Sequence, residues 1–244
     1  MRKQLLVIAF ILSILGNLNA QQTVTFTAAD GVKVTADLYV SSTKKPYIIL
    51  LHQAGYSRGE YREIAPRLVN LGYNCIAVDL RSGNEVNFVK NQTAIEAQKR
   101  NLPTDYINSQ PDIKAAIDYV ASKTSKPIIL FGSSYSASLA LIEATNNFKV
   151  KAVVVFSPGE YFSDKEFVKS STQKLFVPTL ALCSKAEFAE MEKLLNHLPK
   201  KHLNLFRPSL GQGVHGAKAL WESNSSSSEY WMALSQFFGT LKIK

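Results

Sequence analysis

Pro127-Ile-Ile-Leu-Phe-Gly-Ser-Ser134-Tyr-Ser-Ala-Ser-Leu-Ala140 is the stretch that decides the fold. An apolar run too short for a helix meets Gly132-Ser-Ser134-Tyr-Ser136, and small and helix-forming residues follow. A strand that breaks sharply into a helix lays that helix straight back over itself. The positions two before and two after the bend must then be small, and Gly132 and Ser136 occupy them. The bend residue, Ser134, is expected at positive φ, a strained conformation that the surrounding fold has to enforce. The first amides of the new helix face it, helped by the helix dipole, and can donate to a developing oxyanion; the first of them is that of Tyr135. Ser134 is therefore the candidate nucleophile, with Ser133 and Ser136 as other hydroxyls of the same turn. A serine-rich turn without chemistry is the plain alternative.

Outward from this turn, the chain alternates short apolar runs with helical patterns. Thr23–Ala28 and Val32–Val40 alternate in polarity on either side of Asp30-Gly31, which predicts an antiparallel hairpin. Tyr47–Leu51, Tyr73–Asp79, Ile128–Phe131, Val150–Phe156, Val177–Leu182 and His202–Phe206 read as strands, the first with the continuous apolar character of a strand covered on both faces. Glu60–Leu71, Thr93–Asn101, Pro111–Ser122, Tyr135–Ala144, Phe162–Lys174, Glu187–His197 and Glu229–Leu241 read as helices. This order predicts an α/β architecture. It would have a mainly parallel sheet of about eight strands, helices on both faces and an N-terminal antiparallel hairpin. Leu80–Asn108 stands apart as a long polar insertion or cap-like loop (residues 80–108), and loops of that length usually bind something.

Residues 1–20 have the pattern of a secretory signal peptide: Arg2 and Lys3, an apolar core from Leu5 to Leu15, and Asn17-Leu-Asn-Ala20 ending in a small residue. The expectation is an exported protein, periplasmic or extracellular in a bacterium, with residues 21–244 as one domain and no stable membrane insertion after cleavage. The net charge of +9 becomes +7 once Arg2 and Lys3 are removed, since no acid lies in that segment. The lysines are scattered and no aromatic-basic stripe is present, so no nucleic-acid partner is expected. Cys75 and Cys183 sit in separate apolar runs and are expected as free, buried thiols. No cluster has metal-ligand spacing, and neither metal nor organic cofactor is expected.

A nucleophilic serine needs a base, and the chain offers His52, His197, His202 and His215. His197 lies late in a helix, His202 in a basic surface stretch, and His52 at the end of a buried strand. His215, in Gly211-Gln-Gly-Val-His-Gly216 after the last strand, is best placed to reach over a sheet's end. The base needs an orienting carboxylate. Glu187, just past the strand Val177–Leu182, ranks first; Glu160, past the preceding strand in Ser157-Pro-Gly-Glu, ranks second.

The order Ser134, acid, His215 is that of an α/β-hydrolase. With His52-Gln-Ala-Gly55, Asp79-Leu-Arg-Ser-Gly83, the turn at 132–136, Ser157-Pro-Gly159 and His215-Gly216, residues 23–242 resemble the α/β-hydrolase superfamily. The resemblance is closest to its small dienelactone-hydrolase-like and serine esterase branches. It implies hydrolysis of a small-molecule ester through an acyl-enzyme, an oxyanion hole formed by the amides of Gln53 and Tyr135, and a structural His52. Two departures stand out: a serine where dienelactone hydrolases proper carry cysteine, and glutamate where aspartate is usual. A peptidase or amidase using the same triad, and a non-catalytic binding protein on the same fold, are the competing readings. Residues 80–108 are expected to wall the substrate pocket.

Overall fold

In the computed structural model, which describes residues 21–241, the two alternating segments pair as an antiparallel hairpin of β1 (Gln22–Thr27) and β2 (Lys33–Tyr39). The apolar runs become β3 (Tyr47–Leu51), β4 (Asn74–Val78), β7 (Ile128–Ser133), β8 (Val150–Phe156), β9 (Thr179–Leu182) and β10 (Leu203–Phe206). Together they form one eight-stranded sheet, ordered β1-β2-β4-β3-β7-β8-β9-β10. From β4 to β10 the strands are parallel, and β2 joins β4 antiparallel. The expected α/β-hydrolase layout, hairpin included, is what the chain adopts. The signal segment 1–20 lies outside the described residues, as do residues 242–244. No helix among the described residues is long and apolar enough to cross a membrane.

Alternation along β3 shows how the sheet is buried. Tyr47, Ile49 and Leu51 face one apolar cluster, while Ile48 and Leu50 face the other. The first is covered by α2 (Gln92–Lys99), α3 (Gln110–Lys123), α4 (Tyr135–Asn146), α5 (Phe167–Ser171) and α6 (Phe188–Leu195). The second is covered by α1 (Ile64–Asn70) and α7 (Ser227–Thr240). Cys75 and Cys183 are free and buried. Three strands separate β4 from β9, which puts the two thiols on the order of 19 Å apart, too far for a disulfide.

Several expected elements are shorter than their patterns. The helix read over Glu60–Leu71 is a 3-10 turn at Arg58–Tyr61 followed by α1 from Ile64. Pro66 lacks the amide that a preceding helical turn would use, so the α-helix starts just before it. Gly72, at φ +104, closes α1, with Tyr73 donating back to Leu68 O. Of Phe162–Lys174 only five residues are helical, because Glu160 bonds the amides of Val168 and Lys169 and starts the helix there.

The segment 80–108 is ordered into a small hairpin of β5 (Glu85–Val86) and β6 (Val89–Lys90), then α2, then a 3-10 turn at Tyr106–Ser109. Buried ion pairs hold its start. Arg58 bridges Asp79 (2.6 Å) and Asp37 (3.0 Å), and Arg81 bridges Asp112 (2.7 Å) and Asp30. Asp112 is fully buried, so Arg81→Ala would leave a carboxylate unpaired in the interior. We expect that variant to lose about 3–5 kcal/mol of stability in urea unfolding, whereas Asp30→Asn, at a partly exposed partner, should lose far less.

Candidate active site

The C-terminal ends of the parallel strands bring the predicted residues together. Ser134 stands between β7 and α4 at φ +61 and ψ −125, the strained bend expected from the turn. A Cβ added to Gly132 would lie 2.5 Å from Ala137 Cα and 2.6 Å from Ser136 O, so only glycine allows α4 to come this close. Ser136 supplies more than small size. Its hydroxyl accepts from the Ser133 amide (3.0 Å) and lies within bonding distance of Leu51 O (2.8 Å) and Ser133 O (2.9 Å). The hydroxymethyl group that departs from glycine therefore pins the turn to the end of β3.

His215 and Glu187 complete a continuous chain with Ser134. His215 Nε2 lies 2.8 Å from Ser134 Oγ, and its Nδ1 makes a short hydrogen bond to Glu187 Oε1. The other oxygen, Oε2, accepts from the Ser184 amide (3.0 Å), the Ser184 hydroxyl (2.6 Å) and the Ser157 hydroxyl (3.0 Å). The extra methylene of glutamate is used here. Glu187 reaches back over its own 3-10 turn to Ser184 and still presents one oxygen to His215. Burial works against its charge, but the bonds from His215 and Ser184 outweigh it and bring its pKa down to about 2. Glu160, the second-ranked acid, is corrected to a helix cap: both of its oxygens are taken by the amides at the start of α5 (2.8 and 2.9 Å).

The remaining histidines are structural in their contacts. His52 is fully buried, with Nδ1 against Gln53 O (2.8 Å) and Nε2 accepting from the Leu80 amide (2.9 Å). Burial holds its pKa down to about 4, so the ring is neutral. His197 lies against Leu194 O and the Thr172 hydroxyl, near the end of α6. His202 bonds backbone at the entry to β10.

One expected residue is engaged elsewhere. The Gln53 amide donates to Glu60 Oε2 at 2.9 Å, so it does not face Ser134 as a free donor. The amides of Ala54 and Tyr135 make no hydrogen bond among the described residues. Glu60 itself was invisible as a site residue in the sequence, where it reads as the first residue of a helix. It is fully buried; its Oε1 accepts from Ser133 Oγ (2.9 Å), and that hydroxyl accepts from the Ala217 amide (2.8 Å). One carboxyl thus ties the loop after β3, the turn at Ser134 and the loop bearing His215. Burial pushes its pKa up to about 7, against the pull of the Gln53 amide, the Ser133 hydroxyl and the charges of His215 and Lys218.

A cleft of about 670 Å³ opens beside this chain, lined by Ser82, Tyr106, Ile107, Tyr161, Phe162 and Phe167 among others. Tyr106 stacks on Tyr135 at 4.5 Å, and Tyr161 stands edge-on to His215 at 6.5 Å. Burial raises the Tyr161 phenol to about 12, the neighbouring Ser134 hydroxyl drawing it back part of the way. The expectation for 80–108 is thus refined: its two ends, Ser82 and residues 104–107, wall the cleft, while the hairpin and α2 lie elsewhere. Among the described residues no group of three or more His, Cys, Asp or Glu is placed to hold a metal ion.

Comparison with known proteins agrees with this fold. A family model described as the dienelactone hydrolase family matches residues 34–202. A Saccharolobus solfataricus protein provisionally named carboxymethylenebutenolidase is 28% identical over 113 residues, 43% of this chain. The match spans only 42% of that relative's length. Among solved structures, a dienelactone hydrolase from Anabaena variabilis superposes with a TM-score of 0.68 at 19% identity, covering 90% of this chain and 97% of that one. A Pyrococcus furiosus esterase gives 0.65 at 17% identity, covering 90% and 92%. At these identities the structural likeness speaks to fold alone.

Two measurements follow from the geometry. Ser136→Ala removes the link to Leu51 O and leaves the buried Ser133 amide unpaired, and should cost about 1–3 kcal/mol in urea unfolding. Glu187 has a folded pKa of about 2 against its ordinary 4.5. Its contribution to stability is therefore full above pH 4.5 and lost as pH falls toward 2. The stability gap between wild type and Glu187→Gln should narrow steadily as pH falls from about 4.5 toward 2; a gap that stays flat over that range would contradict the pairing.

Proposed function

The chain belongs to the dienelactone hydrolase family, and we propose that it is a serine hydrolase that cleaves carboxylic esters by a Ser134–His215–Glu187 triad. The observation that carries this reading is the unbroken hydrogen-bond chain from the strained serine through His215 to a carboxylate held ionised.

In the proposed mechanism Ser134 Oγ attacks the ester carbonyl carbon while His215 Nε2 takes the hydroxyl proton. Glu187 fixes the ring so that Nε2 faces the serine, and stabilises the imidazolium that forms. The oxyanion is held by the amide of Tyr135, at the positive end of α4, and by the amide of Ala54 in place of Gln53. Collapse of the tetrahedral intermediate breaks the bond to the alcohol oxygen, which receives the proton from His215. Water, deprotonated by the same nitrogen, then attacks the acyl carbon; as the bond to Ser134 Oγ breaks, His215 returns that proton to the serine and the acid is freed.

The cleft suggests the substrate's character. Its aromatic wall of Tyr106, Tyr161, Phe162 and Phe167 suits an apolar arm, and its volume suits a small molecule. The proposal extends to location: the signal-like pattern of residues 1–20 would direct the enzyme out of the cytoplasm, so the exported form should begin at or near Gln21 on N-terminal sequencing.

The test is a fluorophosphonate probe together with matched esters and amides. Wild type should label and turn over the esters, while Ser134→Ala should neither label nor turn over above roughly a thousandth of the wild-type rate. Equal labelling of the two proteins would remove Ser134 from the mechanism, and amide turnover comparable to ester turnover would move the reading to an amidase. Ala54→Pro, which deletes the proposed donor, should lower kcat by roughly a hundredfold or more, with urea unfolding run alongside to check that the loop's fold survives.

A further inference from the structure

The connections that enter the six parallel strands all lie at one edge of the molecule; the turn into β4, Leu71-Gly72-Tyr73, carries no charge, and the other five enter β3, β7, β8, β9 and β10. Read in order they are residues 41–46, 124–127, 147–149, 172–178 and 196–202. Every one contains lysine and none contains aspartate or glutamate. Two phenylalanines project from neighbouring strands of this edge: Phe148, before β8, is 84% exposed, and Phe176, before β9, is 60% exposed. Asp118 of α3 pairs with one lysine of this edge, Lys149, at 2.7 Å.

The other end of the sheet differs. Phe88 and Leu210 are also exposed there, but on loops that carry acids: Glu85 precedes Phe88, and Glu229 bonds the backbone of Ser209 and Leu210. Helix dipoles favour lysine at C-terminal ends, and this accounts for Lys123 in the last turn of α3. It does not account for two aromatic rings left in water between the lysine-bearing turns.

We propose that this edge docks the protein on an anionic phospholipid surface, with Lys126, Lys174, Lys200 and their neighbours over the headgroup phosphates and Phe148 and Phe176 entering the interface. Lysine attracts such a surface over a Debye length, and an aromatic ring gains by leaving water at the headgroup level. The contact is peripheral. The edge lies about 20 Å from Ser134, a six-residue strand away, so a docked molecule keeps its cleft turned to the aqueous side. This inference does not depend on the hydrolase reading.

Co-sedimentation of the full chain with phosphatidylglycerol-containing vesicles and with pure phosphatidylcholine vesicles, at about 0.1 M salt, tests it. Wild type should bind the anionic vesicles preferentially and lose binding as salt rises. Lys126→Glu, Lys174→Glu and Lys200→Glu combined, or Phe148→Ser with Phe176→Ser, should weaken binding roughly tenfold or more with the urea unfolding midpoint unchanged. All variants share residues 1–20, so a local readout separates the edge from that segment: the indole introduced by Phe148→Trp should be quenched by brominated phosphatidylglycerol. Vesicle binding unaltered in both variants, an indole that brominated lipid leaves untouched, or duplex DNA bound as tightly as the vesicles would each overturn the proposal.

Discussion

The distance between two backbones sets the terms for this molecule. Helix α4 returns over β7 so closely that the space beside Gly132 cannot admit one methyl group. That approach throws Ser134 into positive φ and lifts its hydroxyl out of the sheet, and it aims the first amide of α4 at the same point. The helix can lie there because nearly every side chain from Tyr135 to Ala144 is buried, so apolar packing on both sides holds the strained turn in place. Loosen the approach and the Ser134 hydroxyl and the Tyr135 amide move apart together.

Around that turn the protein uses hydroxyls and one hidden carboxyl as fasteners. Ser136 joins the turn to the end of β3, Ser157 joins Glu187 to the loop of His215 through the Gly216 amide, and Ser133 joins Glu60 to Ala217. Each of these serines accepts one hydrogen bond and donates another, so no polar group added by the arrangement is left unpaired. Glu60 is the costly member, a carboxyl without exposure, and the groups facing it explain why it is tolerated: the Gln53 amide and the Ser133 hydroxyl, with the ammonium of Lys218 beyond them.

The sequence carried whatever depended on near neighbours. The hairpin, the parallel strands and the bend at Ser134 follow from periodicity and small residues within a few positions, and the chain order of serine, acid and histidine follows from linear sequence. Long-range partners were hidden. Glu60 looks like any helix-start acid until the sheet puts it 73 positions from its partner Ser133. Glu160 and Glu187 both follow strand ends, and only the fold shows that α5 claims the first while His215 claims the second. The Gln53 amide turns away from Ser134, because the direction of a turn amide depends on which acceptor lies behind it, and that acceptor is Glu60.

The two-part anchoring of residues 80–108 bears on how much of the cleft wall can change without disturbing the fold. Buried ion pairs and the Asn91 side chain fasten the first half to the scaffold, whereas residues 104–107 touch the catalytic layer chiefly through the ring of Tyr106 resting on Tyr135. Asp105, Tyr106 and Ile107 are exposed, and the chain on either side of them is already secured, at Leu102 by Ala97 and at Ser109 by the start of α3. Insertions and exchanges in those few positions can accumulate without disturbing the contacts among Ser134, His215 and Glu187. The size and polarity of this wall can therefore vary independently of the hydrogen-bond chain beneath it.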